Sequence, residues 1–401
     1  MKILKLHVQG FRSLKSVDWD LIGLNVLTGP NNSGKTNLVR SIALLNAAAT
    51  GKLSDTILGY GGIAPLLWDG RASYLDWKVQ FDTAGLLDYP SVPKASDKLT
   101  YELRLERFGP LNSFRIEHEL LADYGQMQAR GAKEPFKLIE RDPKHAVIFD
   151  SQERRLTAPA DKIDDNVPLL SAVSRILSSP RLWSFHRSIA SWGIYHDLLV
   201  YEGSPVRQAT VTRRDTHLDS DGQNLVAVLH TLYTTDRDFK QQLNDSMKAA
   251  FGRDFEGLEF PPAEDQRVQM RITWRSLKTA QPATDCSDGT LRFLMLIAIL
   301  ANPNRGDVVI IEEPETNLHP AMFPVIADLA GAAAVHSQVI FTTHSPQFLT
   351  ALAEKKPNTT VMQFSNGETS LRVLNGKELE RWLAKYTMGD LFESGELEAL
   401  P

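Results

Sequence analysis

The segment Gly29-Pro30-Asn31-Asn32-Ser33-Gly34-Lys35-Thr36 fits the pattern G-x-x-x-x-G-K-[ST], and with its flanks it constrains the fold more than any other stretch of the chain. An apolar run, Leu24 to Thr28, precedes it and reads as a strand, and a helical run, Asn37 to Ala49, follows. A strand, a Gly-containing turn and a helix in that order aim successive backbone N–H groups into one concavity at a helix N-terminus, where partial positive charge favours phosphate. The expectation is an α/β protein with a seat for a nucleoside triphosphate. The bland alternative is a Gly-rich strand-to-helix turn with no ligand.

A second set of motifs lies toward the other end. Asp307-Val308-Val309-Ile310-Ile311-Glu312-Glu313 reads as a buried strand closing on two carboxylates. The chain turns there, so adjacent acids can serve different roles: Glu312 is the candidate on the magnesium side and Glu313 the candidate general base. Taken alone, the pair is equally a solvated strand end. After Pro314 to Pro320 and a helix, a further apolar strand, Gln338 to Phe341, ends in Thr342-Thr343-His344-Ser345-Pro346. A histidine at the C-terminal end of a strand in an α/β sheet faces the crevice where ligands bind, which nominates His344 to contact a γ-phosphate or the attacking water. Upstream, Cys286-Ser287-Asp288-Gly289-Thr290 precedes the apolar run Leu291 to Leu300. Ser287 or Asp288 would cap that helix, leaving N–H groups as another anion seat; plain capping accounts for the pattern as well.

Between these ends the periodicity changes twice. Ile3 to Gln9 and Leu14 to Leu21 read as strands, Gly51 to Gly62 as a surface loop, and Tyr74 to Phe81, Tyr101 to Leu105, Ser113 to Leu121 and Ala146 to Phe149 as strands of an accessory antiparallel sheet over residues 72–158. From about Asp161 to Phe251 the spacing is helical, through Leu169, Val173, Ile176 and Leu177 and later Leu225, Val228, Leu229 and Leu232. Gly252 to Glu264, with Pro261-Pro262, reads as a connector, and Val268 to Trp274 as a strand leading back to the core. The expected organisation is an N-terminal ATPase lobe, residues 1–158; a helical lobe, 159–262; and a C-terminal ATPase lobe, 263–401. No internal repeat or long heptad run is present.

Bulk properties narrow the partners. At 401 residues the chain exceeds the size at which one core stops growing, and 42% hydrophobic with 23% charged residues describes a globular protein. A net charge of −5 gives no general affinity for nucleic acid or anionic membrane, so a DNA contact needs a local basic patch such as Arg154-Arg155 or Arg213-Arg214. The single cysteine, Cys286, excludes an intrachain disulfide framework, and no apolar stretch reaches membrane-spanning length, so a cytoplasmic location without a membrane partner is expected.

Taken together and in order, Phe11-Arg12-Ser13, Gly29 to Asn37, Cys286 to Thr290, Glu312 to Pro320 and Thr342 to Pro346 resemble the ATP-binding-cassette class of ATPase heads, in its RecF, OLD and SMC-like branch. Weaker similarity to stand-alone bacterial members runs through Ser191 to Tyr195, Val206-Arg207, Asp221 to Leu225 and Gly389 to Leu397. The resemblance implies a P-loop NTPase fold of the cassette-head type with an antiparallel β subdomain and a helical lobe. It implies ATP and Mg2+ as ligands, with Gly29, Pro30, Asn31, Asn32, Ser33, Gly34, Lys35, Thr36 and Asn37 around the phosphates and Arg12 nearby. Lys35 would touch the β- and γ-phosphates, Thr36 and Glu312 would ligate magnesium, Glu313 would polarise water, and His344 would be the switch histidine. Ser287 and Gly289 would belong to the signature motif, which meets the γ-phosphate held by the other copy of a homodimer, and His319 would fall in the D-loop. The chain departs from the pattern at Asp288, where many cassettes have Gly, and at the Q-loop, since Gln80 lies within an expected strand. The interval from Asn37 to Cys286 is too short for an SMC coiled coil, and the stretch after His344 is expected to be too short for the Toprim nuclease of OLD proteins.

Three functions remain open at this level: an ATPase acting on double-stranded DNA in repair, genome maintenance or phage defence; a nucleotide-gated module controlling a separately encoded effector such as a nuclease or toxin; and the ATPase subunit of a membrane transporter, which the RecF-like motifs disfavour.

Overall fold

The structure, a computed structural model, describes residues 1–84, 86, 97–109, 112–125, 133–150, 155–159, 163–172, 179–374 and 386–395. By contact it divides into two compact units. The first holds Met1–Trp192 and Asn358–Leu374; the second holds Gly193–Pro357 and the described residues after Leu374.

In the first unit, eight antiparallel strands form one sheet in the order Leu14–Asp20, Lys2–Phe11, Tyr74–Asp82, Lys98–Phe108, Ser113–Asp123, Phe136–Asp142, His145–Asp150 and Arg155–Thr157. Alternation explains it: Leu75, Trp77, Val79 and Phe81 are buried while Asp76, Lys78 and Gln80 between them are not. Phe81 meets Phe185 edge-on at 5.2 Å, and Tyr101 lies 6.1 Å from the same ring. Phe185 is carried by the helix Pro180–Ala190, which Ser179 caps through Leu182 N and Pro180 enters at its first position. Glu119, fully buried in this core, accepts from the N–H groups of Leu169 and Leu170 at 2.7 and 2.9 Å and from the Tyr101 hydroxyl at 2.9 Å. Burial pushes its carboxyl above the ordinary range.

The strand Leu24–Thr28 is buried along its whole length and pairs in parallel with Asn358–Ser365, which folds back antiparallel onto Glu368–Val373. This pairing brings a late segment of the chain into the first unit. The contact division falls at Trp192/Gly193, and the Pro180–Ala190 helix before it packs against the first unit's core.

In the second unit three parallel strands, Gly193–Tyr195, Val308–Glu312 and Gln338–Thr342, run in register with Val309 opposite both Gly193 and Val339. The helix Asp288–Leu300 is buried all round from Thr290 onward, as expected for a run that is apolar from Leu291 to Leu300 except at Arg292. Phe323–His336, Pro346–Ala353, Leu225–Thr235 and Arg237–Phe251 are the other main helices. The helix Met388–Glu393 opens on a capping box made by Thr387 and Asp390, and its Gly389 N–H donates to the Thr350 hydroxyl.

Several local expectations change. Within the expected loop Gly51 to Gly62, Leu53–Gly59 is helical because Leu53 and Ile57, one turn apart, both bury. The expected helical stretch is interrupted by the strand Gly193–Tyr195 and by non-helical chain up to Asn224, apart from the 3-10 turn Pro205–Arg207. The expected connector contains the strand Phe255–Glu259, whose Phe255 and Leu258 bury. Val268 to Trp274 is split between Arg267–Val268 and Arg271–Trp274, which belong to different small sheets. Val173, Ile176, Leu177, Arg154 and the last two residues of Gly389 to Leu397 lie outside the described residues.

Candidate functional site

The phosphate-loop motif lies in the first unit. Thr28 ends its strand, Gly34 is the N-cap of the helix Lys35–Ala49, and no side chain caps that helix. A helix N-terminus points its first-turn N–H groups and partial positive charge toward an anion seat. Gly29 has φ of 140°, and a Cβ placed there would lie 2.2 Å from the Met362 carbonyl oxygen. Only glycine fits. The Lys35 ammonium donates to the carbonyls of Gly29 and Pro30, each at 2.8 Å, and to Ser33 Oγ at 3.3 Å. This buried cation therefore sits within the loop, where a polyphosphate would require it, and the donor set fits that ligand. Asn31, Asn32 and Thr36 are exposed and Ser33 is buried. The variant Gly29→Ala is expected to lose nucleotide binding while the rest of the fold remains; isothermal titration with ATP showing parental affinity would contradict the cradle.

The hairpin tip Arg12-Ser13 is fastened to this loop. Asn37 donates to Ser13 Oγ at 2.9 Å, and the Thr369 hydroxyl lies 2.8 Å from Ser13 Oγ and 3.0 Å from the Ser33 carbonyl. Arg12 has φ of 48°, uncommon for a non-glycine residue. Its guanidinium lies 5.1 Å from the Tyr60 ring centroid, with that of Arg40 at 6.0 Å. Burial, then the Arg40 charge, pulls the Arg12 pKa down.

The second unit gathers the remaining motifs. Glu312 ends its strand, and the next residue turns sharply, with φ of 46° at Glu313 and its N–H donating to the Thr342 carbonyl at 3.0 Å. The two acids consequently diverge: Glu312 Oε1 lies 2.7 Å from His196 Nδ1, and Glu313 Oε1 lies 3.3 Å from His344 Nε2. Glu313 keeps 51% of its side chain exposed, against 11% for Glu312. A half-exposed carboxylate beside an imidazole can take a proton from water; a buried one fixed by a histidine is suited to a cation or a static role.

Glu315 holds the turn that carries His344. Its Oε1 accepts from the Thr343 hydroxyl and, at 3.1 Å, from His344 N. Burial is the main cause of its raised pKa. Arg292, on the Asp288–Leu300 helix, donates to the Glu313 carbonyl at 2.8 Å and to the Leu198 carbonyl at 3.3 Å, and burial lowers its pKa. Ser287 is the N-cap of that helix, its Oγ accepting from Thr290 N at 3.1 Å. Gly289 packs so closely on the next motif that a Cβ would lie 2.6 Å from the Asn317 carbonyl oxygen. His319 is exposed, and its Nδ1 accepts from Ala321 N at 3.2 Å.

Within each unit the nominated residues come together: Arg12, Gly29 to Asn37 in one, and Ser287, Gly289, Glu312, Glu313 and His344 in the other. Sequence reasoning missed His196, Arg292 and Glu315. Only His196 carried a signal, a histidine directly after a short strand. Among the basic candidates for nucleic acid, Arg213 is ion-paired with Asp215 at 2.6 Å and Arg155 starts an edge strand. Gln80 lies inside the strand Tyr74–Asp82, where the sequence pattern placed it. No helix among the described residues is long and apolar enough to cross a membrane.

Known proteins resemble this chain in sequence and in fold. The chain is 24% identical over 357 residues to an "OLD nuclease" of Thermus scotoductus, covering 86% of this chain and 59% of that protein. It thus spans less than two thirds of this curated relative. Among solved structures it is similar to an Smc head bound to the C-winged helix domain of ScpA, with a TM-score of 0.57 at 14% identity over 95% of this chain and 100% of that one. It is also similar to an Smc head domain with an extended coiled coil, bound to the C-terminal domain of ScpA derived from Pyrococcus furiosus, with a TM-score of 0.55 at 13% identity over 96% and 98% of the two chains. The fold is that of P-loop ATPase heads of the ATP-binding-cassette type. Residues 24–350 match the family described as "AAA domain, putative AbiEii toxin, Type IV TA system", and the chain belongs to that family, as a RecF/OLD/SMC-like ATPase.

Proposed function

We propose that this chain binds ATP with magnesium, hydrolyses its γ-phosphate bond, and cycles between single heads and an ATP-joined homodimer in the cytoplasm, acting on DNA in repair, genome maintenance or phage defence. The observation that carries the chemistry is the divergence of Glu312 and Glu313 onto two different histidines at the end of one strand. The Gly29 to Thr36 loop and its helix N-terminus seat the polyphosphate, and Lys35 neutralises charge developing on the transferring group. Thr36 in the first unit and Glu312 in the second are the magnesium ligands that the resemblance to cassette heads implies, and the ion would supply Lewis-acid stabilisation of the phosphoryl oxygens. Glu313 takes the proton from the attacking water, with His344 orienting it. Ser287 and Gly289 face the nucleotide of the partner copy, so that ATP favours the dimer by its differential affinity for that state.

A second reading has its own support: the chain is a nucleotide-gated module for a separate effector protein. Arg213 is neutralised by Asp215 and the net charge is −5, which leaves the nominated DNA patch weak. Steady-state ATP hydrolysis with and without linear duplex DNA at low salt separates the two. Stimulation that fades as salt rises is expected for direct DNA action. Turnover indifferent to DNA selects the effector reading, and absence of turnover sinks both.

A further inference from the structure

The Asp at signature position two is the departure that the ATPase reading leaves unexplained. A carboxylate next to Ser287 and Gly289 would repel a γ-phosphate brought to them, because like charges placed together across an interface cost several kcal/mol. In the structure that carboxylate is engaged. Asp288 Oδ1 pairs with Arg207 Nη2, and the Arg207 side chain is only 9% exposed.

The same guanidinium holds the chain leading into the signature helix. Arg207 Nη1 donates to the carbonyls of Cys286, Thr284 and Ala283 at 2.6, 3.2 and 3.3 Å, while Nε donates to the Val200 carbonyl at 2.9 Å. A planar fork of fixed donors can serve acceptors in several directions at once, which a lysine ammonium cannot reproduce. On its other side the loop is pressed against Asn317 through Gly289. Ser287 and Gly289 thus lie between an arginine that fixes the approach to the helix and a neighbouring backbone that fixes its first turn.

We infer that Arg207 is a positioning residue of the signature loop: it neutralises Asp288 and anchors residues 283–286, so that a loop with an acidic second position can still receive a nucleotide phosphate. This rests on the proposed ATPase and dimer cycle. It replaces the glycine at that position with an ion pair, and it assigns a role to a residue between the two ATPase motif sets in sequence.

The test uses the full chain and the variants Arg207→Ala, Arg207→Lys, and Arg207→Ala combined with Asp288→Gly. Arg207→Ala is expected to lower kcat by about 100-fold, the size of effect that misplacement of a binding group causes, with nucleotide affinity of the single head unchanged. Adding Asp288→Gly is expected to recover at least about tenfold by removing the uncompensated like charge. Hydrogen exchange at the Thr290 and Leu291 amides should speed up in Arg207→Ala, a readout independent of turnover. If Arg207→Ala fails to fold, Arg207→Lys, which keeps the charge and loses the fork, should show the faster exchange with a smaller loss of kcat. A parental rate with unchanged exchange in the arginine variants overturns the inference, as does a double variant no faster than the single. A parent that hydrolyses no ATP overturns the ATPase reading itself, and that result is distinct from a working parent beside an unaffected variant.

Discussion

Glu313→Gln should bind ATP as the parent does and turn it over about 10²- to 10⁴-fold more slowly, the range that a general base contributes. The amide keeps the size of the carboxylate and an oxygen toward His344, which lies 3.3 Å away, but it cannot accept the proton of the attacking water. Glu313 is also the acid with the freer access, 51% exposed, and its φ of 46° shows that the backbone is turned to present it. Because binding is retained and hydrolysis is blocked, size-exclusion chromatography with magnesium and ATP should show the variant held as a dimer at concentrations where the parent returns to single heads. A parental rate in Glu313→Gln would remove the base assignment. The paired control, Glu312→Gln, should instead weaken the magnesium dependence of binding, since Glu312 is the less exposed acid, paired with His196.

How much of this was readable beforehand follows from how local each requirement is. The loop was legible because its demands act within a few residues: a φ of 140° and a backbone approach to Met362 leave only glycine at position 29. The acid pair was legible for a related reason, since Val308 to Ile311 is apolar enough to mark a buried strand and the two carboxylates mark its end. The partners of those acids were not legible. His196 reaches Glu312 from 116 positions away and Arg207 reaches Asp288 from 81, so no local pattern links them. The accessory sheet was found through the alternation of Tyr74–Asp82, yet its Phe136–Asp142 strand was missed, because Lys137, Glu140 and Arg141 break up the apolar period and are held instead by ion pairs and by carbonyl caps from Arg141. Around Phe255 the Pro261-Pro262 pair outweighed the short apolar signal, and tertiary burial of Phe255 and Leu258 decided for strand.

Lys35→Ala is expected to act at the other end of the cycle, on binding rather than on turnover of bound nucleotide. Loss of a charged hydrogen-bonding partner is worth about 1.5–3 kcal/mol, so the Kd for ATP should rise by about 10- to 150-fold. The structure adds a complication that the experiment has to separate. The ammonium also holds the carbonyls of Gly29 and Pro30 at 2.8 Å each, so its removal leaves the buried Gly29 carbonyl and the more exposed Pro30 carbonyl without this donor and can loosen the loop without any reference to phosphate. Lys35→Arg discriminates. An arginine retains the positive charge, but its larger planar head cannot reproduce the compact placement between those carbonyls and Ser33 Oγ. If both variants bind ATP weakly and melt at the parental temperature, the lysine acts through the phosphate. If both lose thermal stability in step with affinity, the loop is what fails, and the lysine's contribution to nucleotide recognition is indirect. Unchanged affinity in Lys35→Ala would contradict the phosphate-loop reading outright, because no other cation of the Gly29 to Thr36 motif could take its place.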